Sequence, residues 1–305
     1  MSSEPTISSK RASERGSTVV RFWGVRGSVP VPGPQTAKYG GNTSCVEVRA
    51  EGEIIILDAG TGLRALGLAL MEEFRGRPLA VTILVTHTHT DHIQGFPFFA
   101  PAYEESNRIR ILGFSEGGCG LQCAFTRQME PAHFPVGLSQ MRSEVAFEEL
   151  TGEAFQIGSV RVSTCRANHP GNCGGYRLDT SAGTICYIPD HEADGARAPQ
   201  CAAVAQLIHE SDLVILDSQY TVGEYRGHEG WGHSSMEDAV RTACEAKAKC
   251  LHLFHHDPSH NDEFLDQMLQ KAKRIAAGTG TRIETAREGK QINLAGKAAH
   301  PAGHP

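Results

Sequence analysis

Long hydrophobic runs are missing from this chain, and nothing in it approaches the roughly 18 consecutive apolar residues that a helix needs to cross a bilayer. No membrane span is expected. The first residues, 1–17, are rich in Ser, Glu and Arg and lack the apolar centre of an export signal, so they read as a disordered tail on a cytoplasmic protein. Basic charge is also in deficit, with 29 Lys and Arg against 35 Asp and Glu and a net charge of −6. That balance excludes a protein that grips extended nucleic acid with its whole surface, though it leaves room for a local basic pocket. None of the nine cysteines stands in a Cys-x-x-Cys pair, and an odd number in a chain of 305 residues describes no disulfide framework. Reduced thiols are expected, and the Cys119 to Cys123 spacing suits a structural role better than a zinc knuckle.

What is present is a hydrophobic fraction of 40%, enough for a sizeable core in one domain over 18–295, with frayed tails at 1–17 and 296–305. The densest chemistry follows the apolar, β-branched run Val81 to Val85, where Thr86-His87-Thr88-His89-Thr90-Asp91-His92 begins as a strand ends. Alternation on an extended chain points His87, His89 and Asp91 one way, and a turn then brings His92 alongside. Imidazole nitrogens and carboxylate oxygens at this spacing can serve two ions held close together, and they suit zinc, manganese or iron.

The pattern His87-x-His89-x-Asp91-His92, followed by Gly95, resembles the HxHxDH signature of the metallo-β-lactamase superfamily. That resemblance implies an α/β fold, a four-layer αβ/βα sandwich of two mixed sheets flanked by helices with the metals at the sheet edge. The opening FWGVRGSVPVPGP…YGGNTSC is similar to the phosphodiesterase and tRNase Z branch. His169, after the alternating strand 160–164, matches the superfamily's single metal-binding His. Asp190, at the end of strand 184–188, matches the Asp that bridges both metals, although Pro189 precedes it where a small residue is usual. Asp217 ends a similar buried strand and is its rival, assigned by the resemblance to support, as is Asp58. His255 matches the last metal-binding His; the adjacent His256 faces elsewhere on an extended chain and reads as a supporting or structural residue, with the opposite assignment of the pair as the alternative. The implied sets are His87, His89 and His169 for one ion, Asp91, His92 and His255 for the other, and Asp190 between them. His233-Ser234-Ser235 is similar to the His-Ser-Thr of tRNase Z, where the His assists at the phosphate.

Two divalent cations, zinc foremost and manganese or iron as alternatives, would activate a shared water and stabilise attacking and leaving oxygens, so hydrolysis is expected. A small phosphodiester, such as a cyclic nucleotide, is the favoured substrate, because no Gly- and Lys-rich insertion suited to gripping tRNA is found. Asp91 and His233 are the candidate proton carriers. Arg26, Asn168, Arg177 and His233 are the candidate substrate contacts. Lactone or other acyl hydrolysis, tRNase Z-type cleavage and a non-catalytic binding module are the alternatives. The aromatic stretch Gln94 to Tyr103 reads as a cap on the core or a stacking surface, and 117–147, with Met129, Phe134 and Met141, as a lid or a homodimer surface.

Overall fold

The structure is a computed structural model that describes residues 17–114, 118, 120–152, 154–193 and 198–296. The tail expected at 1–17 therefore lies outside the described residues except for Ser17, which opens the first strand, and the tail at 296–305 lies outside them from 297 on. Cys119 is likewise outside; Cys123 is disulfide-bonded, which departs from the expectation of reduced thiols throughout.

Among the described residues fourteen strands form two sheets. The first contains β1 (Ser17–Gly24), β2 (Cys45–Ala50), β3 (Glu53–Leu57), β4 (Ala80–Val85), β5 (Arg108–Gly113), β6 (Glu144–Glu149) and β14 (Gln291–Ala295), in the order β14-β1-β2-β3-β4-β5-β6. The second contains β7 (Ala154–Ile157), β8 (Val160–Arg166), β9 (Gly174–Thr180), β10 (Gly183–Ile188), β11 (Leu213–Asp217), β12 (Cys250–Phe254) and β13 (Arg282–Thr285), in the order β13-β12-β11-β10-β9-β8-β7. The first sheet is antiparallel from β14 to β3 and parallel from β3 to β6; the second is antiparallel from β7 to β10 and parallel from β10 to β13.

The burial patterns follow from these positions. β1 alternates exposed or half-buried with buried residues, as a strand with one wet face does, whereas β11 and β12 are buried at every position, as parallel strands covered on both faces must be. Phe22, Val48 and Leu112 of the first sheet meet Tyr176, Tyr187 and Phe254 of the second in the central core. Helix α1 (Gly62–Phe74) covers the outer face of the first sheet with Leu63, Leu66 and Leu70. The short helix α2 (Thr90–Ile93) follows β4, and α3 (Leu121–Gln128) buries Leu121 and Phe125 in the same outer layer. On the far side are α4 (Pro199–Leu207), the single turn α5 (Val222–Tyr225), α6 (Met236–Glu245) and α7 (Asp262–Ile275), of which α4, α6 and α7 cover the second sheet. Ser235 accepts from the Asp238 amide and Asn261 from the Phe264 amide, so both α6 and α7 start where a capping side chain stands in the sequence. Helix, sheet, sheet, helix is the four-layer α/β sandwich the motifs implied. Among the described residues no helix is long and apolar enough to cross a membrane.

The segment 117–147 differs from its expected role as a cover. Phe125, Met129 and Met141 are buried with Phe96 and Phe99 in the helical layer of the first sheet, because apolar burial there outweighs leaving them over a polar cleft. Only Phe98 of the aromatic run is strongly exposed, edge-on to Phe134 with ring centroids 5.3 Å apart.

Candidate metal centre

Parallel strands place their C-terminal ends along one edge, and in open α/β sheets that edge is where ligands bind. Here the ends of β3, β4, β8, β10, β11 and β12 deliver Asp58, His87, His169, Asp190, Asp217 and His255. The turn after β4 adds His89, and α2 adds Asp91 and His92.

Two triads of ligand atoms result: His87, His89 and His169, and Asp91, His92 and His255, each with its atoms within 4.8 Å of one another. In the first, His169 Nε2 lies 3.2 Å from His89 Nδ1. In the second, Asp91 Oδ2 lies 3.2 Å from His92 Nε2 and 3.1 Å from His255 Nε2. Asp190 faces both. Its Oδ2 is 3.7 Å from Nε2 of His87 and of His169, while Oδ1 is 3.1 Å from His92 Nε2 and 3.4 Å from His255 Nε2. Burial opposes ionisation of Asp190, but His255, His92 and His87 hold its carboxyl well below the usual carboxylate range. Burial and the neighbouring His92 push the His87 imidazole well below its ordinary pKa, which leaves that ring neutral.

The outward nitrogens explain why the inward ones are free. His92 Nδ1 pairs with Asp58 Oδ2 at 2.7 Å, His255 Nδ1 donates to Gln219 Oε1 at 2.9 Å, and His169 Nδ1 donates to the Gly232 carbonyl at 3.0 Å. Each pairing fixes the tautomer and turns Nε2 toward the centre. Nε2 of His87 and of His92 and Oδ1 of Asp190 are buried without a hydrogen-bond partner. Orphaned donor atoms of this kind, all imidazole or carboxylate, fit two divalent cations and little else.

Asp58 and His255 both adopt left-handed backbone, with φ of 59° and 62°, a conformation rare outside glycine and concentrated at functional sites. Asp58 accepts from the Thr86 amide at 2.7 Å and from the Tyr187 hydroxyl at 2.9 Å, so it supports the centre from behind. Asp217 accepts from the Gln219 and His191 amides at 2.9 and 3.0 Å, and its Oδ2 takes His233 Nδ1 at 2.7 Å. His233 lies between the triads, stacked on His255 at 4.8 Å and edge-on to His169 at 5.1 Å.

Other expected contacts are placed elsewhere. Arg26 is fully buried, and its guanidinium donates to the carbonyls of Gly40, Asp257 and His260 at 2.8, 3.0 and 2.6 Å, so it braces loops where a phosphate contact was expected. Arg177 donates to the Leu207 and His209 carbonyls and lines a groove of about 1110 Å³ with Arg161 and Arg166, on the helix-covered face of the second sheet. Asn168 donates to the Glu192 carbonyl at 2.8 Å and positions that loop. His256 is buried, held neutral by burial, and its ring meets the Ala286 carbonyl at 3.0 Å, which resolves the choice between it and His255 geometrically. Sequence reasoning passed over Tyr187, Gln219, Gly232 and the Ser28 amide, which donates to Asp91 Oδ2 at 2.8 Å.

A family model for a β-lactamase superfamily domain matches residues 54–256, which span β3 to the end of β12 and hold every triad residue. The chain belongs to the metallo-β-lactamase superfamily. It is a metal-dependent hydrolase of that superfamily and is similar to its tRNase Z-like members. Ribonuclease Z of Nitrosopumilus maritimus is 24% identical over 278 residues, covering 76% of this chain and 88% of that protein. Ribonuclease Z of Aeropyrum pernix is 25% identical over 275 residues, covering 75% and 86%. Among solved structures, the metallo-β-lactamase fold protein YhfI of Bacillus subtilis aligns with a TM-score of 0.66 at 18% identity, covering 91% of this chain and 99% of that one. A diphosphatase of the PhnP family aligns with a TM-score of 0.64 at 16% identity, covering 90% and 97%. Both show the shared sandwich.

Proposed function

We propose that the protein hydrolyses a small phosphodiester, using His87, His89, His169, Asp91, His92, His255 and Asp190 to hold two divalent ions, most naturally zinc. When bound, such a pair supplies electrostatic stabilisation of phosphoryl oxygens and lowers the pKa of water. The chain's own residues orient that chemistry. The observation that carries the reading is the position of His233, wedged between the two triads with its Nδ1 on Asp217 Oδ2.

Burial disfavours the charged ring, yet Asp217, Asp190 and Asp91 outweigh it and raise the His233 pKa to about 9. Bound cations would pull that value down, and Asp217 remains to hold the proton on Nδ1. A donor at this point suits an anionic phosphoryl oxygen or a departing alkoxide. Asp91, whose Oδ2 accepts the Ser28 amide, is the second group able to orient a proton. The likeness to ribonuclease Z proteins supports a phosphodiester bond and favours one other reading, cleavage of precursor tRNA. The net charge of −6 argues for the smaller substrate.

The test is a panel on metal-loaded protein: bis(p-nitrophenyl) phosphate, 2′,3′- and 3′,5′-cyclic nucleotides, a phosphomonoester, a homoserine lactone and a precursor tRNA. Turnover of the diesters with little of the lactone is expected. Lactone turnover without diester turnover would overturn the proposal, and specific cleavage of the precursor would move it to the tRNA reading.

A further inference from the structure

Trp231 is among the most exposed large apolar side chains of the described residues, 60% accessible, and it lies two residues before His233. An indole left in water forgoes burial that most tryptophans obtain, so its exposure on an ordered loop asks for a reason. The loop is held firmly. Glu192, itself buried, accepts from the Tyr225 hydroxyl and the Gly230 amide at 2.7 Å each and from the Gly232 amide at 3.0 Å. Gly230 and Gly232 take φ of 82° and 89°, which lets the chain turn tightly on either side of the indole.

Rings lead from the metal centre to this side chain. His233 is 6.1 Å from Tyr220, Tyr220 stacks on His228 at 4.5 Å, and His228 meets Trp231 edge-on at 4.7 Å. The Gly232 carbonyl, next in the chain, fixes His169. Two residues span at most roughly 7 Å of chain, so the backbone that carries the indole lies at the border of the triads, beside His233. We infer that Trp231 is a stacking platform for the nucleobase of the substrate, which makes the substrate a nucleotide diester in preference to a simple alkyl one. Aromatic rings accept every base through its π-face, so the platform selects for the presence of a base over its identity. This rests on the phosphodiester reading above and adds the substrate class to it.

The experiment measures binding of AMP and of ribose 5-phosphate to metal-loaded protein by calorimetry, for wild type, Trp231→Ala and Trp231→Phe, with thermal melts and size-exclusion chromatography on each. The wild type should favour AMP over ribose 5-phosphate by roughly 5- to 100-fold. Trp231→Ala should bring that ratio close to one at an unchanged melting temperature, and Trp231→Phe should restore most of it. An unchanged ratio in Trp231→Ala, or no AMP binding to wild type, overturns the inference. So does an unchanged ratio accompanied by loss of a dimer, which would assign the indole to a second copy of the chain. Failure of every diester in the hydrolysis panel sinks the proposed reaction but leaves the base-dependent ratio measurable, so the two failures are distinguishable.

Discussion

The hydroxyl of Tyr187, on β10, reaches across the central core to donate to Asp58 Oδ2 at 2.9 Å, the same oxygen that takes His92 Nδ1 at 2.7 Å. One carboxylate at the end of a first-sheet strand is therefore tied both to a ligand and to the opposite sheet. Its left-handed backbone, φ 59°, is one that Asn also tolerates, so Asp58→Asn tests charge without adding strain. The expected result is about 10- to 100-fold weaker binding of the ion at His92. Tyr187→Phe should instead cost about 1–3 kcal/mol of stability and little affinity. Isothermal metal titrations and denaturant melts of both variants check this, and equal effects on affinity would refute the division of roles.

Two glycines set the ligand positions through space that a side chain would fill. A Cβ on Gly27 would stand 2.3 Å from His255 Nδ1, and one on Gly232 would stand 2.1 Å from His169 Nδ1, the latter at φ 89°. Gly27→Ala should therefore weaken the ion held by Asp91, His92 and His255, and Gly232→Ala the one held by His87, His89 and His169. Metal content by mass spectrometry, with cobalt spectra to separate the two sites, should show selective loss in each variant.

His233 is the group whose loss should affect turnover more than binding. Under the proposed reaction, His233→Ala should lower kcat by about 10²- to 10⁴-fold with a small change in KM, and metal content should stay near two ions. A variant that retains full kcat on a diester would remove His233 from the reaction.

Acid sensitivity should come in part from outside the centre. His252 on β12 is buried against Phe22, ring centroids 5.3 Å apart, with Nδ1 unpartnered. Burial first, then the charges of Lys290 and Arg282, lower its pKa to about 3. Unfolded imidazole titrates near roughly 6.5, so between these values the unfolded chain binds more protons. The stabilisation is whole above pH ~6.5 and is lost as pH falls toward the folded value, at up to about 1.4 kcal/mol per pH unit. His252→Phe should flatten that limb in chemical melts at pH 4 to 7, whereas an identical slope would place the sensitivity elsewhere.

Local signals carried most of what could be read beforehand. An apolar run that ends in Asp or His marks a strand delivering a group to an edge, and this held for the positions of Asp58, His87, Asp190, Asp217 and His255. Alternation set His255 and His256 on opposite faces without saying which faced the centre, and the contact of His256 with the Ala286 carbonyl decides it. The arginines were misjudged because residue type does not say whether a guanidinium will face solvent or carbonyls: Arg26 meets acceptors more than 200 positions away, 231 and 234 residues along the chain. Tyr187 and Gln219 escaped notice for the same reason, since their partners are 129 and 36 residues distant and neither residue type signals metal support.

Each triad draws on both sheets: His87 and His89 follow β4 of the first while His169 follows β8 of the second, and Asp91 and His92 likewise face His255 of β12. Bound cations would then act as rivets through the seam where the layers meet. Stripping them should loosen that edge while the central core still holds the sheets together, so hydrogen exchange at the ends of β4 and β12 would quicken together as hydrolytic competence is lost.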